Sequence, residues 1–422
     1  MTFIRRRELK SRLVLLLVLL TLITTNLFAG GFQLNIRGAK AVAMGGAFTA
    51  IADDPSAVYW NAAGLSFLKG TNIMFSTHLV APQTKFRGVS PYVDQYRSEN
   101  RVFFPTHLFV SHTLNDKWAI GLGFTQPFGL GTTWDENWPG KYLAIETGLT
   151  TYVLSPVVSF RPIETLSISA GFLYGFANVK ITRKSPLSSL FAEDAFVELE
   201  GNDNFAYGFN AGLMFKPVPV LSIGATYSSE IEYEFEGTAT TIAPSQFSSQ
   251  VPSGNITATL TTPQNIAAGI AVDVTKDLKL SAEYQYIGWS SYDTLAVDFE
   301  NEAFIDIASP RLYNNSYIIR FGAYYRLNEQ VGLMGGFYFD NMPVDPENLN
   351  PSLADSDRMG FSAGIDAQLF EKLKIVGSYL FISAEELTVD NSNQIYTLGG
   401  SKFNGTYNSI ANIFSLSFIY SL

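Results

Sequence analysis

Most of the chain alternates between apolar and small or polar residues, in many separate runs with a period of two. The runs at 118–125, 166–176 and 361–369 are examples, each with one apolar face and one face of Ser, Gly, Ala, Thr or other small or polar residues. Because successive side chains of a β-strand point to opposite faces, each run predicts a strand between two different environments. An apolar face toward lipid and a polar face toward a lumen is typical of transmembrane β-barrels.

The connections between these runs have two lengths, and the two lengths alternate along the chain. Short turns are predicted near residues 115–116, 162–163, 217–219, 276–277, 328–329 and 371–372. Long polar connections are predicted near residues 81–100, 127–146, 184–204, 237–255, 298–314, 341–357 and 386–406. Six short and seven long connections separate fourteen strands.

This count predicts an all-β fold, a 14-stranded antiparallel transmembrane β-barrel over residues 69–422. All short turns then lie on one side, which in outer-membrane barrels is the periplasmic side, and the long loops are extracellular. Both chain termini are expected in the periplasm. A soluble β-sandwich is the alternative, but a sandwich does not require this separation of short turns from long loops.

Residues 30–68 precede the barrel and lack sustained alternation. They are rich in Gly and Ala, and Asp54 followed by Pro55 predicts a helix that begins with Asp54 as N-cap. A compact segment of small residues ahead of a large barrel has a natural place in the lumen. We therefore predict a small, partly helical N-terminal hatch that plugs the pore.

Residues 1–29 have the pattern of a secretory signal peptide, with a basic start, an apolar stretch at 13–22 and Ala29 as the cleavage residue. The alternative, a membrane anchor, requires a longer apolar stretch. The amphipathic run at 414–422 ends the chain and resembles the terminal signal read by the outer-membrane assembly machinery.

Composition excludes several other classes of protein. The 422 residues include no Cys, which rules out disulfides and thiolate chemistry, and the net charge of −10 argues against binding to nucleic acid. The three histidines are His78, His107 and His112. His107 and His112 have opposite strand parity, so they do not share a face as a metal pair. No cofactor, metal site or catalytic constellation is predicted.

The hatch carries sequence motifs that resemble the FadL family of outer-membrane transporters for long-chain fatty acids and other hydrophobic molecules. The matching pieces are Gly31-Phe32-Gln33-Leu34-Asn35, Gly45-Gly46-Ala47, Ala50-Ile51-Ala52-Asp53-Asp54 and Trp60-Asn61-Ala62-Ala63-Gly64-Leu65. The family usually has Pro where this chain has Ala62. The resemblance implies an outer-membrane transporter, not an enzyme, that is monomeric and surrounded by membrane lipid and lipopolysaccharide. Its cargo would be fatty acids or, alternatively, aromatic or aliphatic hydrocarbons.

A second match lies in the third strand, from Phe124 to Leu130. In the family this strand kinks inward and leaves a lateral gap in the wall. The resemblance therefore implies hatch and gating roles for Asn61, Ala62, Ala63, Gly121, Gly123, Pro127, Phe128 and Gly129. From the residues alone, an alternative is that Pro127 simply ends the strand and the glycines fill a crowded lumen.

The same resemblance implies the ligand-binding residues. These are Phe32 of the hatch, Leu187, Leu190 and Phe191 of a helically spaced loop at 186–196, and the basic residues Arg183 and Arg311. Arg183 matches the family residue that contacts the ligand carboxylate. A second basic position of the family is Asn314 here, and Arg311 or Arg320 are candidates to replace it. The alternative for Arg320 is that Glu283 on the neighbouring strand neutralises it.

Asp340 and Arg358 lie in a further family-like stretch, and we predict that they tether the hatch. Three rival functions remain at this point. One is an outer-membrane lipid hydrolase with His107 or His112 as base. The others are an open diffusion porin and a purely structural barrel.

Overall fold

A computed structural model describes residues 30–90, 93–187, 194–247, 251–397 and 400–422. The predicted signal peptide, residues 1–29, lies outside the described residues. Within those described ranges, no helix combines the length and the apolar character that a membrane crossing demands.

Fourteen strands form the wall, several of them in two segments. They are β1 Thr71–Gly88, β2 Gln95–Arg97 and Thr106–Thr113, β3 Trp118–Thr125 and Gly129–Thr133, β4 Glu146–Ile163, β5 Leu166–Pro186, β6 Asp194–Val218, β7 Leu221–Ser228 and Ile231–Ile242, β8 Gly254–Thr262 and Asn265–Asp273, β9 Leu278–Ile287 and Thr294–Phe299, β10 Ile307–Pro310 and Ser316–Arg326, β11 Val331–Asp340, β12 Arg358–Phe370, β13 Leu373–Ala384 and Leu387–Val389, and β14 Gly405–Ser421.

Each strand pairs antiparallel with the next, and β14 closes the barrel by pairing with β1 from Asn72↔Ser421 to Gly88↔Gly405. This confirms the predicted all-β, 14-stranded antiparallel barrel. The alternation along the strands separates two surfaces. Phe75, Ile120 and Phe361 are exposed on the outside, as the outer apolar belt of such a barrel requires.

The strands on the side of the long connections run further than the sequence predicted. β1 continues to Gly88 and β7 to Ile242, into segments that were expected to be loop. The extension of β7 helps to build a separate apolar cluster, formed by Val197, Leu199, Ala239, Ile256, Val297 and Phe299. The extension of β1 buries Phe86 against the rings of Trp138, Phe403 and Tyr407. Burying those side chains gives the extended ladder its own core.

The segment at 30–68 contains two short helices, α1 at Ala39–Ala43 and α2 at Ala57–Trp60, and a 3₁₀-helix at Ala62–Phe67. The predicted start of α2 at Asp54 and Pro55 is wrong by two residues, since Ser56 is the N-cap. The carboxylate of Asp54 accepts from the amide and hydroxyl of Ser56 at 2.9 and 2.5 Å. Asp54 therefore closes the turn that leads into the helix.

The hatch packs inside the wall and bonds to several neighbouring strands. Ala39 N–H donates to Ser417 Oγ of β14 at 2.8 Å, and Gly45 N–H donates to Ser362 Oγ of β12 at 3.1 Å. The main chain of Gly45 also lies where a side chain at Gly336 of β11 would be, 2.1 Å from an ideal Cβ on that glycine. Small and hydroxylated lumen residues therefore let the hatch approach the wall closely.

Candidate functional site

An apolar cavity lies between the hatch and the long connections; we call it the main cavity. Its lining includes Phe32, Leu130, Leu143, Leu149, Val179, Ile181, Leu199, Phe235, Ile256, Ala258, Leu260, Tyr292, Leu295, Val297, Arg311, Tyr313 and Leu353. Such a mostly apolar concave surface with a few polar groups is typical of sites for small hydrophobic molecules.

Arg311 is the basic residue that lines the main cavity. Its Nε is buried and has no hydrogen-bond partner among the described residues. Arg183 lies close enough for the charge of Arg311 to act on it. No carboxylate of the described chain forms an ion pair with either guanidinium. The main cavity therefore has positive charge available for an anionic group.

Phe32 stands at the boundary of the main cavity, within an aromatic cluster. Its ring centroid is 4.7 Å from that of Trp289, 5.5 Å from that of Tyr292 and 5.9 Å from that of Phe128. Gly31 next to it has φ +65°, and a Cβ there would lie 2.3 Å from the Trp289 ring. The first residues of the hatch thus form part of the wall of the main cavity.

A second cavity, the side cavity, shares Phe32, Leu130, Leu149 and Leu353 with the main cavity. It extends to the wall between residues 103–105, which precede the second segment of β2, and residues 128–132 of β3. Phe104 at that border is 62% exposed. The two cavities therefore adjoin at these four apolar residues, and the side cavity reaches the β2–β3 border.

β3 leaves β2 at this border because it carries one extra residue. Thr125 pairs with Val153, and Gly129 pairs with Thr150. Between these two pairs, β3 has three residues (126–128), whereas β4 has two (151–152). Phe128 N–H donates to Thr151 Oγ1 at 2.9 Å, which leaves Gln126 and Pro127 opposite Tyr152. This is a β-bulge, which bends a strand and interrupts its ladder.

The freed edge of β3 bonds to the hatch instead of to β2. Leu34 N–H donates to the Pro127 carbonyl at 3.0 Å, and Gly129 N–H donates to the Phe32 carbonyl at 3.1 Å. The ladder between β2 and β3 ends at Leu108↔Phe124. The structure therefore places Pro127, Phe128 and Gly129 together at a kink against the first residues of the hatch.

Gly121 and Gly123 do not belong to this kink. Both pair regularly with β2 and with β4, and their surroundings agree with the alternative that they fit a crowded lumen. A Cβ on Gly121 would lie 2.7 Å from Val58 Cγ2, and one on Gly123 would lie 2.8 Å from Val58 Cγ1. These glycines make room for α2 of the hatch.

Asn61 connects the hatch to the wall. Its Nδ2 donates to the carbonyls of Thr49 and Leu213 at 2.8 and 3.0 Å, and its Oδ1 accepts from Ala63 N–H at 3.2 Å. Ala62 and Ala63 are buried in the 3₁₀-helix that Asn61 caps. The family-like motif thus fixes one turn of the hatch against β6.

Asp340 and Arg358 lie at the first residues of the hatch. Arg358 donates to the Gly31 carbonyl at 3.2 Å and to Asp340 Oδ2 at 3.1 Å. Asp355, which was not predicted, accepts from Gly31 N–H at 2.7 Å. The peptide of Gly31 is therefore held from both sides.

The predicted capture loop is only partly described. Leu187 is half-buried at the end of β5, whereas Leu190 and Phe191 lie outside the described residues. At the far end of the predicted helical stretch, residues 194–196 are already part of β6. The helical prediction is therefore wrong for those residues, because they pair with β5 at Lys184↔Phe196 and Ser185↔Ala195.

Glu283 is the main hatch contact that sequence reasoning did not assign. Its Oε2 accepts from Phe48 N–H at 3.0 Å and from Thr49 N–H at 2.8 Å, and its Oε1 accepts from Arg320 at 2.9 Å. Arg320 also donates to Gln285 at 2.5 Å. Arg320 is therefore neutralised by Glu283, the alternative that the sequence left open, and it does not replace the basic residue missing at Asn314. Asn314 itself donates to Asp345 at 3.2 Å.

The histidines considered as bases lie apart from the cavities. His107 is buried, and neither of its ring nitrogens has a hydrogen-bond partner among the described residues. His112 contacts Thr71 Oγ1 at 2.8 Å on the exposed surface. Across the described ranges, no group of His, Asp or Glu is arranged to hold a metal ion. The residues named for the hydrolase alternative thus do not form a Ser–His pair.

A closed barrel with an apolar outer belt, an internal hatch and a largely apolar cavity above it defines a plugged transport channel for hydrophobic compounds. The sequence profile of the outer membrane protein transport protein family (OMPP1/FadL/TodX) matches residues 20–422, and the chain belongs to this family. The resemblance drawn from the hatch motifs is thereby confirmed.

Individual relatives agree with this assignment. The chain is 23% identical to outer membrane protein P1 of Haemophilus influenzae, over 88% of this chain and 90% of the relative. It is 24% identical to the long-chain fatty acid transport protein of Salmonella typhi, over 83% and 86%. Both relatives carry the names of outer-membrane or transport proteins rather than of enzymes.

Solved structures show the same fold. A FadL homologue of Pseudomonas aeruginosa superposes with a TM-score of 0.84 at 21% identity, covering 93% of this chain and 100% of that one. The toluene transporter TbuX of Ralstonia pickettii superposes with a TM-score of 0.68 at 17% identity, covering 92% and 99%.

Proposed function

We propose that this protein takes up long-chain fatty acids across the outer membrane and releases them sideways through the kink in β3. The observation that carries the proposal is the pair of adjoining cavities, which share Phe32, Leu130, Leu149 and Leu353 and together extend from the lumen to the border between β2 and β3. Capture takes place at the extracellular loops, including Leu187, Leu190 and Phe191. In this proposal both termini are periplasmic, the mature chain is a monomer, and lipopolysaccharide and outer-membrane lipid surround the barrel.

The energetics of the cargo favour such a path. Each methylene that returns to water costs about 0.8 kcal/mol, so an aqueous exit is expensive for a long acyl chain. A path lined by Leu130, Leu149 and Phe32 keeps the chain in apolar contact until it reaches the wall. Uptake of labelled oleate by cells that contain this protein as their fatty-acid transporter tests the proposal, and uptake equal to that of cells without it refutes it.

We expect Arg183 and Arg311 to bind the carboxylate. Replacing either by Ala should weaken fatty-acid binding about 10- to 100-fold, because a hydrogen bond to a charged group contributes roughly 1.5–3 kcal/mol. Binding of the matching methyl ester should barely change. Titration of purified protein with both ligands measures the difference.

The matched control for these variants is Lys180→Ala. Lys180 is a basic residue of the same strand as Arg183, but it pairs with Glu198 at 2.8 Å and with Glu200. Equal losses for acid and ester in the arginine variants, or an equal loss in the Lys180 variant, contradict a carboxylate site.

Uptake of aromatic hydrocarbons is the second candidate. The observation that favours it is the cluster of Phe32, Trp289, Tyr292 and Phe128 at the cavity boundary, together with Asn314 in place of the family's second basic residue. A hydrocarbon needs no cation, so the Arg183 and Arg311 variants should leave toluene uptake unchanged while they reduce fatty-acid uptake.

We propose that Arg358 tethers the hatch through Gly31 and Asp340. Arg358→Glu should produce openings in single-channel recordings, because a third acid would then face Asp340 and Asp355 and the Gly31 carbonyl would lose its donor. Arg101→Glu is the control, since Arg101 forms an exposed ion pair with Glu146 at 2.7 Å. A closed trace for Arg358→Glu, indistinguishable from the parent protein, would count against the tether.

A further inference from the structure

The first described residues of the hatch lie in a pocket with an excess of acid. Asp340 and Asp355 contact them, and Asp357 lies close enough for the charges of both to act on it. Among the described residues Arg358 is the base that pairs with this group, at 3.1 Å from Asp340 and 3.9 Å from Asp355. Burial, with the charges of Glu385, Asp355 and Asp340, raises the pKa of Asp357 to about 7. The pocket therefore lacks positive charge.

Asp340 has a free acceptor in this pocket. Its Oδ2 accepts from Arg358, while its Oδ1 is buried and has no hydrogen-bond partner among the described residues. Asp340 is only 4% exposed. An unpaired buried carboxylate oxygen is costly unless a donor reaches it.

Gly30 lies against that free oxygen. An ideal Cβ on Gly30 would be 2.1 Å from Asp340 Oδ1 and 2.8 Å from the carboxyl carbon. The main chain of Gly30 is therefore in direct contact with the carboxylate, and no side chain fits there. Gly30 is also the residue that follows Ala29, the cleavage residue that the sequence predicts.

We propose that removal of the signal peptide after Ala29 creates the donor that this pocket lacks: the α-ammonium group of Gly30 binds Asp340 Oδ1 as a buried ion pair. Hydrolysis of the Ala29–Gly30 peptide bond consumes one water molecule. The carbonyl carbon of Ala29 becomes a carboxylate, and the nitrogen of Gly30 becomes an amine that takes up a proton. Processing thus replaces an uncharged peptide by a cation beside an acidic group.

This ion pair fixes the hatch only in the mature chain. Before cleavage, the nitrogen of Gly30 is an uncharged amide that remains attached to the leader, and Asp340 Oδ1 has no hydrogen-bond partner among the described residues. After cleavage, one cation from Gly30 and one from Arg358 face the acids of the pocket, and Gly31 is already held by Asp355 and Arg358. The closed position of the first hatch residues is therefore coupled to maturation.

The test is the reactivity of the terminal amine in the purified, full-length mature protein, measured by acylation at pH 7 and mass spectrometry. Acylation consumes only the uncharged amine, and an ion pair lowers the fraction of the amine that is uncharged. We expect labelling to be at least about tenfold slower than in the denatured protein, the change that one pKa unit produces. Asp340→Asn should bring the rate near that of the denatured protein, and Asp345→Asn, which removes a nearby loop acid, should not.

A second variant covers the case in which Asp340→Asn does not fold. One extra Gly inserted between Ala29 and Gly30 keeps Asp340 and Arg358 but moves the ammonium out of contact, so its amine should label at the fast rate. A mature chain that starts at a residue other than Gly30 would overturn the proposal. So would fast labelling of the parent protein, or slow labelling in either Asp340→Asn or the insertion variant. None of these readouts depends on transport or on the identity of the cargo.

Discussion

Deleting Pro127 should abolish fatty-acid uptake, to the level of cells that lack the protein, while the main cavity still binds its ligand. The deletion removes the one residue by which β3 exceeds β4, so that Gln126 alone faces Tyr152 and the register from Thr125↔Val153 to Gly129↔Thr150 becomes continuous. A straight β3 can extend its ladder with β2 beyond Leu108↔Phe124 and close the border that the side cavity reaches.

The matched control is Pro127→Ala. This change removes the ring but keeps the extra residue, so the bulge and the uptake should persist. Uptake of labelled oleate and equilibrium binding, measured on the same preparations, separate a blocked exit from a lost site. Normal uptake by the deletion variant would show that cargo leaves by another route. Loss of uptake in Pro127→Ala alone would make the proline ring, rather than the residue count, the cause of the kink.

The barrel was predictable because the membrane imposes a rule that every strand must obey. Each run needs an apolar face toward lipid and a small or polar face toward the lumen, so fourteen strands and their order are readable from parity and connection length. The parity also assigned the inward position of Gly121 and Gly123 correctly. It did not reveal what those glycines do, because the partner, Val58, is 63 positions before Gly121 in the sequence.

The details of the site depend on contacts between distant residues, which local pattern does not encode. The bulge at Gln126 and Pro127 is a mismatch between two strands and becomes visible only when both are aligned. Phe32 and Arg311 do line the main cavity, but no spacing within either segment indicates that they meet there. Asp355 and Glu283 bind main-chain amides of the hatch. Every residue except proline has such an amide, so the sequence does not show which amides are bound.

Glu283→Ala should release the hatch and give the largest increase in conductance of any single change in the lumen. It removes the acceptor of two hatch amides, Phe48 and Thr49, and leaves Arg320 buried without its carboxylate. Breaking a buried pair in this way costs roughly 3–5 kcal/mol, and each unsatisfied buried amide adds about 1–3 kcal/mol. The wall itself should remain intact, since its ladder does not use this side chain. Conductance in planar bilayers and hydrogen exchange at residues 48 and 49 measure the effect.

The double variant Glu283→Ala with Arg320→Met distinguishes the two causes. If the unpaired guanidinium drives the release, removing it should return part of the closed state, because no uncompensated charge then remains in the lumen. If the lost amide acceptors dominate, the double variant should conduct as much as the single one. Glu232→Ala, on the exposed face of β7, should behave like the parent protein. A closed channel with protected amides at 48 and 49 in Glu283→Ala would mean that Ser362, Ser417 and Asn61 hold the hatch without the buried pair.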